Sequence, residues 1–239
     1  MARGLFVTGT DTGVGKTLVA VALLRALAGT GKRAVGMKPV SAGWAADGSV
    51  NPDVAALRAA GNVDAPLHDR NPFAFAPAIA PHLAAAEAGA TIDLAVIAAA
   101  YARLAAESDA VVVEGAGGAR VPIDANHDML DIAARLQLPV LLVVGMRLGC
   151  LNHALLSEAA IRARGLVLAG WIANCIDPRM RALEANVEAL TLRLQAPRIA
   201  SIAWDVPPLL PPGVLDKLFA RPSATFPGAL EWPGPSVPC

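Results

Sequence analysis

The sequence predicts an α/β protein built on a single doubly wound, mostly parallel sheet with helices on both faces. Two observations support this prediction. Short apolar runs rich in β-branched residues, bounded by Gly or Pro, alternate with longer alanine-rich stretches, as expected when buried strands alternate with helices. The 239 residues are 55% hydrophobic and 17% charged, which supplies enough apolar material for a sizeable core.

The apolar runs and the alanine-rich stretches place the individual elements. Strands are predicted at residues 5–8, 34–37, 110–113, 140–144, 166–173 and 198–202. Helices are predicted at residues 16–29, 52–60, 91–107, 128–137, 150–164 and 179–194. In such a sheet, ligands bind beyond the carboxyl ends of the strands.

The chain is expected to form one domain over residues 1–205, followed by a tail over residues 206–239. The composition changes at this boundary, because nine of the nineteen prolines fall within the tail. A proline-rich segment of this kind packs on the surface or stays partly disordered.

Composition excludes several classes of function. Twenty basic residues balance twenty acidic ones, so no overall field favours nucleic acid or an anionic membrane. The three cysteines have no spacing typical of a zinc site or a disulfide framework. No apolar run approaches the roughly 20 residues of a membrane-spanning helix, and a soluble, cytoplasmic protein is expected.

The stretch "VTGTDTGVGKT" at residues 7–17 has the ending of a phosphate-binding loop. Five residues separate Gly9 from Gly15, whereas the standard motif has four, and Thr10 occupies the place of the standard first glycine. The flanks are those of a strand and a helix, so backbone N–H groups can converge on phosphate oxygens. Lys16 can then reach the terminal phosphates and Thr17 can offer a hydroxyl to Mg²⁺. The alternative is a glycine-rich turn with an accidental lysine, as in "GTGK" at residues 29–32, where a glycine helix cap explains the pattern.

Two carboxylates are candidate ligands of Mg²⁺, which prefers oxygen. Glu114 closes the apolar run "DAVVVEGAGG", and the glycines that follow it allow close approach of the backbone. Asp53 lies in the first turn of a predicted helix, where a carboxylate is also a routine helix-start residue. A surface glutamate at a strand end is the alternative for Glu114.

Lys38, in "GMKPVSAG", ends a predicted strand because Pro39 disfavours a helix. It would share a sheet edge with Lys16 if the two strands were parallel neighbours. Two lysines at one edge indicate a phosphate site, whereas a lone lysine at a strand end is usually only solvated.

Taken together, the motifs resemble the dethiobiotin synthetase family, a branch of the phosphate-loop superfamily (P-loop NTPase-like), from residue 5 to about 205. The matching blocks are "VTGTDTGVGKT", "KPV", "NPDVAAL", "PHLAA", "VVVEGAGG", "LPVLLVVGMRLGCLNHALL" and "LAGWIANCIDP". The longer loop is part of the resemblance. It implies an ATP- and Mg²⁺-dependent enzyme that converts 7,8-diaminononanoate and CO₂ to dethiobiotin through a carbamate, and it implies a homodimer.

The same resemblance implies the site residues. Lys16 and Lys38 are implied as the catalytic cations, and Thr17, Asp53 and Glu114 as the ligands of Mg²⁺. The residues implied to bind ATP are Gly13, Val14, Gly15, Lys16, Thr17, Leu18, Asp53, Glu114, Gly115, Ala116, Gly117, Asn174, Cys175, Ala203, Trp204 and Asp205. Those implied to bind the diamine are Thr12, Lys38, Ser41, Ala42, Gly149, Cys150, Leu151 and Asn152, the last four from a helix start that faces the neighbouring subunit.

Two positions depart from the family pattern. Ala42 stands where the family usually has a hydroxyl residue, and Ser41 precedes it, so a hydroxyl contact with the substrate is in doubt. Near the end, "ASIAWD" has Ala200 and Ala203 in place of a glycine and a proline. This change puts base selectivity in doubt.

Other classes are less consistent with the sequence. Partition-type ATPases carry a lysine five residues before the loop lysine, and this chain has Asp11 there. Cobyrinate-type amidating synthetases need a further glutaminase domain, for which the chain is too short. No serine-hydrolase or zinc motif is present. The four histidines are expected to be surface or packing residues, and among them His82 in "PHLAA" is the candidate for a position near the substrate.

Overall fold

The computed structural model describes residues 3–43, 50–208, 210 and 213–219, in which strands and helices alternate. The strands are β1 (Arg3–Gly9), β2 (Ala34–Met37), β3 (Val40–Ala42), β4 (Phe73–Phe75), β5 (Ala110–Glu114), β6 (Val140–Met146), β7 (Leu168–Cys175) and β8 (Arg198–Ile202). The helices are α1 (Lys16–Gly29), α2 (Pro52–Ala60), α3 (Leu67–Arg70), α4 (Pro81–Glu87), α5 (Leu94–Ala106), α6 (Met129–Leu136), α7 (Cys150–Ala163), α8 (Leu183–Arg193) and α9 (Val214–Leu218).

Six strands form one sheet in the order β2-β5-β1-β6-β7-β8, and every neighbouring pair is parallel. This confirms the predicted fold class. Val7 pairs with Glu114 and Met37 pairs with Val113, so the loops that follow these strands leave the sheet at one edge. The strands that precede Lys16 and Lys38 are β1 and β2, and β5 lies between them. The condition that they be direct neighbours is therefore not met, but both strands run parallel to β5 and end at the same edge of the sheet.

Alternate residues of each strand face opposite layers of helices. In β1, Leu5 and Val7 share an apolar cluster with Leu23 of α1, whereas Phe6 belongs to the cluster that contains Ile97 of α5. Helices α1 and α2 cover the first face, and α5 to α8 cover the second. The two layers exclude water from both faces, which leaves the strand ends as the place for polar chemistry.

Local sequence sets the helix starts that hold site residues. Gly15, with φ of 94°, adopts the left-handed conformation that favours glycine and turns the chain into α1. Asn51 caps α2 by accepting a hydrogen bond from the Asp53 N–H at 3.0 Å, and Pro52 takes the first helical position, where no N–H donor is needed. This cap fixes Asp53 in the first turn of α2.

The structure adds elements that the sequence pattern did not indicate, namely β3, β4, α3, α4 and α9. Helix α8 begins at Leu183 rather than at residue 179, because Ala182 has a left-handed conformation. Strand β7 continues to Cys175, two residues beyond the predicted end. In the tail, Val214 and Leu218 of α9 pack into the α1 face of the core, and residues 209, 211–212 and 220–239 lie outside the described residues.

None of the helices in the described part of the chain combines the length and apolar character that a transmembrane span requires.

Gly36→Ala should destabilise the fold. A Cβ atom at this position of β2 would lie 2.9 Å from Leu24 Cδ1 of α1 and 2.9 Å from Leu57 Cβ of α2, and overpacking of this kind costs about 1–3 kcal/mol. Urea unfolding followed by circular dichroism measures the loss. Gly29→Ala is the matched control, because it adds the same methyl group at the exposed end of α1, where no heavy atom lies within 4 Å. Equal losses in both variants would contradict the packing argument.

Candidate active site

The loop between β1 and α1 is longer than the standard motif because Thr10 continues the pairing with β6. Its backbone N–H donates to Val143 O at 3.0 Å, and its hydroxyl accepts from the Gly145 N–H at 3.3 Å. The turn itself is made by residues 11–15, where Gly13 has φ of 72°. The extra residue therefore extends the strand pairing and leaves the turn intact.

Lys16 is the first residue of α1, and its side chain folds back over the loop. Its Nζ donates to Asp11 O at 2.8 Å. The carboxylate of Asp11 in turn pairs with Arg147, which lies between β6 and α7. The loop lysine is thus held within the turn that a triphosphate would occupy.

Lys38 and Glu114 form a buried ion pair at the carboxyl edge of the sheet. Lys38 Nζ lies 2.6 Å from Glu114 Oε1 and 2.9 Å from Asp53 Oδ2. The exposed fractions are 5% for Lys38 and 1% for Glu114. The hydroxyl of Thr17 lies 2.9 Å from both Asp53 Oδ1 and Glu114 Oε1, so with Lys38 four chain segments meet at this point.

The neighbouring charges and burial shift the pKa values of these groups. Burial is the main reason that the pKa of Lys16 falls to about 8, and the nearby Lys38 lowers it further against the opposing carboxylates. Burial also acts to lower the pKa of Lys38, but Glu114 and Asp53 outweigh it and raise this pKa above its usual value. For Asp53, burial is outweighed by Lys38, and its pKa is lowered. Lys38 therefore stays charged, and Lys16 is the more easily neutralised lysine.

The donor set fits a hard divalent cation. A hydroxyl has one proton, so Thr17 can donate to only one of the two carboxylate oxygens that it contacts. Glu114 Oε2 is buried and has no hydrogen-bond partner among the described residues. No cluster of three or more His, Cys, Asp or Glu side chains exists in the described ranges, and Mg²⁺ needs only one or two carboxylates beside waters and phosphate oxygens.

A cavity of about 840 Å³ opens beside the phosphate loop, between the start of α1 and the ends of β7 and β8. Six residues predicted to bind ATP line it: Leu18, Asn174, Cys175, Ala203, Trp204 and Asp205. Asn174 Nδ2 donates to Val14 O of the loop at 2.8 Å. The structure thus places the residues predicted to bind the adenine base of ATP next to the loop predicted to bind its phosphates.

The loop after β5 lies against the phosphate loop. Gly115 donates its N–H to Val7 O at 3.0 Å, and Ala116 donates its N–H to Met129 Sδ at 3.4 Å. A Cβ atom on Gly117 would lie 3.5 Å from Thr12 Oγ1, and Thr12 is exposed. The backbone N–H groups of Gly115 and Ala116, two residues predicted to bind ATP, are therefore already paired within the protein.

The predicted substrate residues are less well grouped. Ser41 is fully buried and donates its hydroxyl to Asn71 Oδ1 at 2.9 Å, so this hydroxyl is already paired within the protein, and its contact with substrate stays a prediction. Ala42, which is half-buried, follows it at the end of β3. His82 lies on α4, and its Nδ1 is buried without a partner among the described residues.

The start of α7 lies at the same edge of the sheet. Gly149 precedes the helix with φ of 95°, Cys150 is buried, Leu151 is half-buried and Asn152 is exposed. The N-cap of this helix is Gly149, which has no side chain to cap it, and the substrate-binding role of Asn152 stays a prediction.

Sequence reasoning missed two residues that hold the site. Asn71 Nδ2 donates to Lys38 O at 2.7 Å, and Arg147 pairs with Asp11 across the β1 and β6 loops. Neither position has a local sequence signal, because both contacts join segments that are distant along the chain. Asn51 could have been found, since Asn before Pro at a helix start is a typical cap.

The chemistry of these groups defines a class of protein. Backbone N–H groups, a helix start and two lysines converge at one edge of a parallel sheet, and a triphosphate is the ligand that requires all of them. The fold and site are therefore those of a phosphate-loop nucleotide-binding protein.

Comparison with known proteins gives the particular family. The chain is 53% identical to an ATP-dependent dethiobiotin synthetase of Aromatoleum aromaticum, over 84% of this chain and 90% of that protein. It is 52% identical to the one of Nitrosospira multiformis, over 86% and 90% of the two chains. A family model described as an AAA domain matches residues 3–208. The chain belongs to the family of ATP-dependent dethiobiotin synthetases, which are ligases of biotin biosynthesis, and the predicted family is confirmed.

Solved structures support the fold. The septum site-determining protein MinD of Pyrococcus horikoshii, solved with Mg-ADP, matches 86% of this chain and 82% of its own, with a TM-score of 0.56 and 17% identity. The signal recognition particle receptor FtsY of Elizabethkingia anophelis matches 92% of this chain and 66% of its own, with a TM-score of 0.54 and 18% identity. Likeness at these identities shows the fold alone. The partition-type alternative is not favoured, because the family matches are to synthetases.

Removing Lys38 should leave two neighbouring carboxylates without their shared cation. Breaking a buried ion pair costs about 3–5 kcal/mol, so Lys38→Met should lower the free energy of unfolding by that amount in buffer without nucleotide or metal. Adding Glu114→Gln to the same chain should recover at least about 1 kcal/mol, since it removes an uncompensated buried charge. Chemical denaturation of the parent, both single variants and the double variant gives the coupling energy. Additive losses would show that the pair is not coupled.

Proposed function

We propose that this chain carboxylates 7,8-diaminononanoate with CO₂ and closes the ureido ring with ATP, forming dethiobiotin, ADP and phosphate. The observation that carries the proposal is the cluster of Lys16, Lys38, Thr17, Asp53 and Glu114 at one sheet edge. It occurs in a chain about half identical to proteins named ATP-dependent dethiobiotin synthetase. A partition-type switch would act through protein partners instead.

The proposed chemistry has three balanced steps. One amine of the substrate adds to CO₂, forming a C–N bond as one C=O π bond opens, and the nitrogen releases a proton to solvent to give the carbamate. A carbamate oxygen attacks the γ-phosphorus, the bond to the bridging oxygen breaks, and ADP leaves. The second amine then attacks the carbamate carbon and forms the second C–N bond, the C–O bond to phosphate breaks, and phosphate leaves with the proton that this amine loses as the ring closes.

Each step gathers negative charge, so fixed cations are the main catalytic device. Lys38 is suited to this role because its pKa is raised and its position is fixed by Glu114 and Asp53. Lys16 would exchange its contact with Asp11 O for a phosphate oxygen. A polyphosphate next to Lys16 would also favour its charged form.

Thr17, Asp53 and Glu114 would hold Mg²⁺, which the donor set fits. The cation would neutralise charge on the phosphate oxygens when ATP is bound. The chain's own contribution is to keep two carboxylates and a hydroxyl in place before the ligand arrives, because α2 is capped by Asn51 and Glu114 is buried at the end of β5.

The base of ATP is proposed to enter the cavity lined by Leu18, Asn174, Cys175 and residues 203–205. Asn174 uses one N–H for Val14 O, which leaves its amide oxygen to accept from an adenine amino group. The backbone of residues 203–205 can contact the base whatever the side chains are, so Ala203 in place of the family's proline does not prevent a backbone contact with the base.

Further parts of the proposal concern the assembly. The start of α7, from Gly149 to Asn152, would bind the distant carboxylate of the diamine in a neighbouring subunit through helix N–H groups that have no intrahelical partner, although the Cys150 N–H already donates to Arg147 O at 3.0 Å. The side chain of Leu148, which lies beside it, is exposed. We accordingly propose a homodimer that works in the cytoplasm.

Release of phosphate from ATP tests the proposed reaction. The rate should rise only when 7,8-diaminononanoate and bicarbonate are both present, because the attacking carbamate needs both. A coupled phosphate assay with each component omitted in turn measures this dependence. Equal ATP hydrolysis without the diamine would favour the switch alternative.

The two lysines should have different kinetic effects. Lys38→Ala should lower kcat by at least about 10²-fold, the scale for one preorganised charge contact, with little change in the dissociation constant for ATP. Lys16→Ala should weaken ATP binding as well as lower kcat, because the loop lysine contacts the nucleotide before and during transfer.

Turnover and equilibrium ATP binding are measured on both variants at a temperature where circular dichroism shows them folded. Lys32→Ala is the matched control, since this lysine belongs to the second Gly-Lys pair at residues 29–32 and should change neither quantity. Normal turnover in Lys38→Ala would remove this lysine from the chemistry.

A further inference from the structure

A second cavity, of about 440 Å³, lies between the end of α2 and the segment that leads into α3. Its lining residues are Arg58, Asp64, Ala65, Pro66, Leu67 and Arg70. None of them belongs to the site or the nucleotide cavity described above, and the proposed reaction gives them no role.

Arg70 is a buried guanidinium on the wall of this cavity, with 2% of its surface exposed. It donates hydrogen bonds to three backbone carbonyls: those of Ala65 at 3.2 Å, Gly36 at 3.4 Å, and Val63. These acceptors are neutral, and no carboxylate lies within ion-pair distance of Arg70 among the described residues. Its hydrogen bonds are therefore largely satisfied while its charge is not neutralised.

Arg58 brings a second guanidinium to the same cavity. It lies in the last turn of α2, is exposed, and makes no ion pair within the described part of the chain. Asp64 is the only acidic side chain among the lining residues. Burial lowers the pKa of Arg70, and the neighbouring Arg58 lowers it more than Asp64 raises it. The cavity is therefore electropositive in its resting state.

We propose that this cavity binds a small, multiply charged oxyanion between Arg58 and Arg70. A buried charge without a counter-ion is costly, and an oxyanion supplies the missing charge together with acceptors for guanidinium N–H groups. Arg70 has five N–H donors, and three of its hydrogen bonds hold it in place. It is thus preorganised, whereas exposed Arg58 can close over the ligand. Phosphate and di- or tricarboxylates share this chemistry.

The cavity adjoins the segment of residues 70–71, which makes hydrogen bonds with the backbone of Lys38. Arg70 O accepts from the Lys38 N–H at 2.8 Å, and the neighbouring Asn71 holds Lys38 O at 2.7 Å. The binding test must therefore keep the nucleotide site filled, so that phosphate bound at the phosphate loop is not counted.

Equilibrium dialysis with radiolabelled inorganic phosphate tests the proposal on the full chain saturated with the β,γ-imido analogue of ATP. The parent should bind about one phosphate per chain. Arg58→Gln should bind it about tenfold more weakly, the scale of one charge-assisted contact. Arg135→Gln, which removes an exposed arginine from the last turn of α6, is the matched control and should bind like the parent.

Asp64→Asn provides a test that misfolding cannot imitate, because removing the one acid of the cavity should tighten phosphate binding about three-fold or more. Competition identifies the source of the oxyanion: citrate that displaces phosphate at lower concentration identifies carboxylates, and failure to displace it identifies phosphate. The proposal is overturned if the parent shows no saturable phosphate binding, if Arg58→Gln and Arg135→Gln bind alike, or if Asp64→Asn binds more weakly.

Discussion

Glu114 lies at the carboxyl end of β5 with 1% of its surface exposed, and a carboxylate buried there is stable only among cations and hydrogen-bond donors. Without them the penalty is several kcal/mol per ion. Its partner Lys38 directly follows β2, and its partner Thr17 lies in the first turn of α1, which follows β1. Strands β2 and β1 lie on the two sides of β5 in the sheet. The strand order is therefore what lets one carboxylate contact both. A slip of one residue in the register of β5 would turn this side chain to the opposite face.

Glu114 and the three charges around it balance when no ligand is bound, since Lys16 and Lys38 face Asp53 and Glu114. The two lysines are not equivalent. Lys38 has two carboxylate contacts, whereas Lys16 rests on a backbone carbonyl and has its pKa lowered to about 8. Lys16 therefore gains most from an arriving polyphosphate, because an opposite charge favours its protonated form. Lys38 instead links the carboxylates, and it is already in position before the nucleotide binds.

The central strands and the helices that cover them were predictable because burial on two faces imposes continuous apolar runs, as in "AVVVE" of β5. The phosphate loop and Glu114 were predictable from the same alternation, since polar residues at strand ends stand out against it. Segment 61–90 was not, because one strand of three residues and helices of four and seven residues have too few positions to show a period. The Ser41–Asn71 contact was equally beyond reach, since only the folded chain brings β3 next to the residue that follows α3.

Asp11 shows how the loop and the neighbouring strand specify one class of protein rather than another. Its carboxylate pairs with Arg147, and its carbonyl oxygen accepts from Lys16. A lysine at this position, as in partition-type ATPases, would face Arg147 with a like charge and lose the contact between the loop and the segment that leads into α7. The same ion pair connects the phosphate loop to the helix start proposed for the substrate carboxylate. Replacing Asp11 would therefore affect both the phosphate loop and the helix start proposed for the substrate.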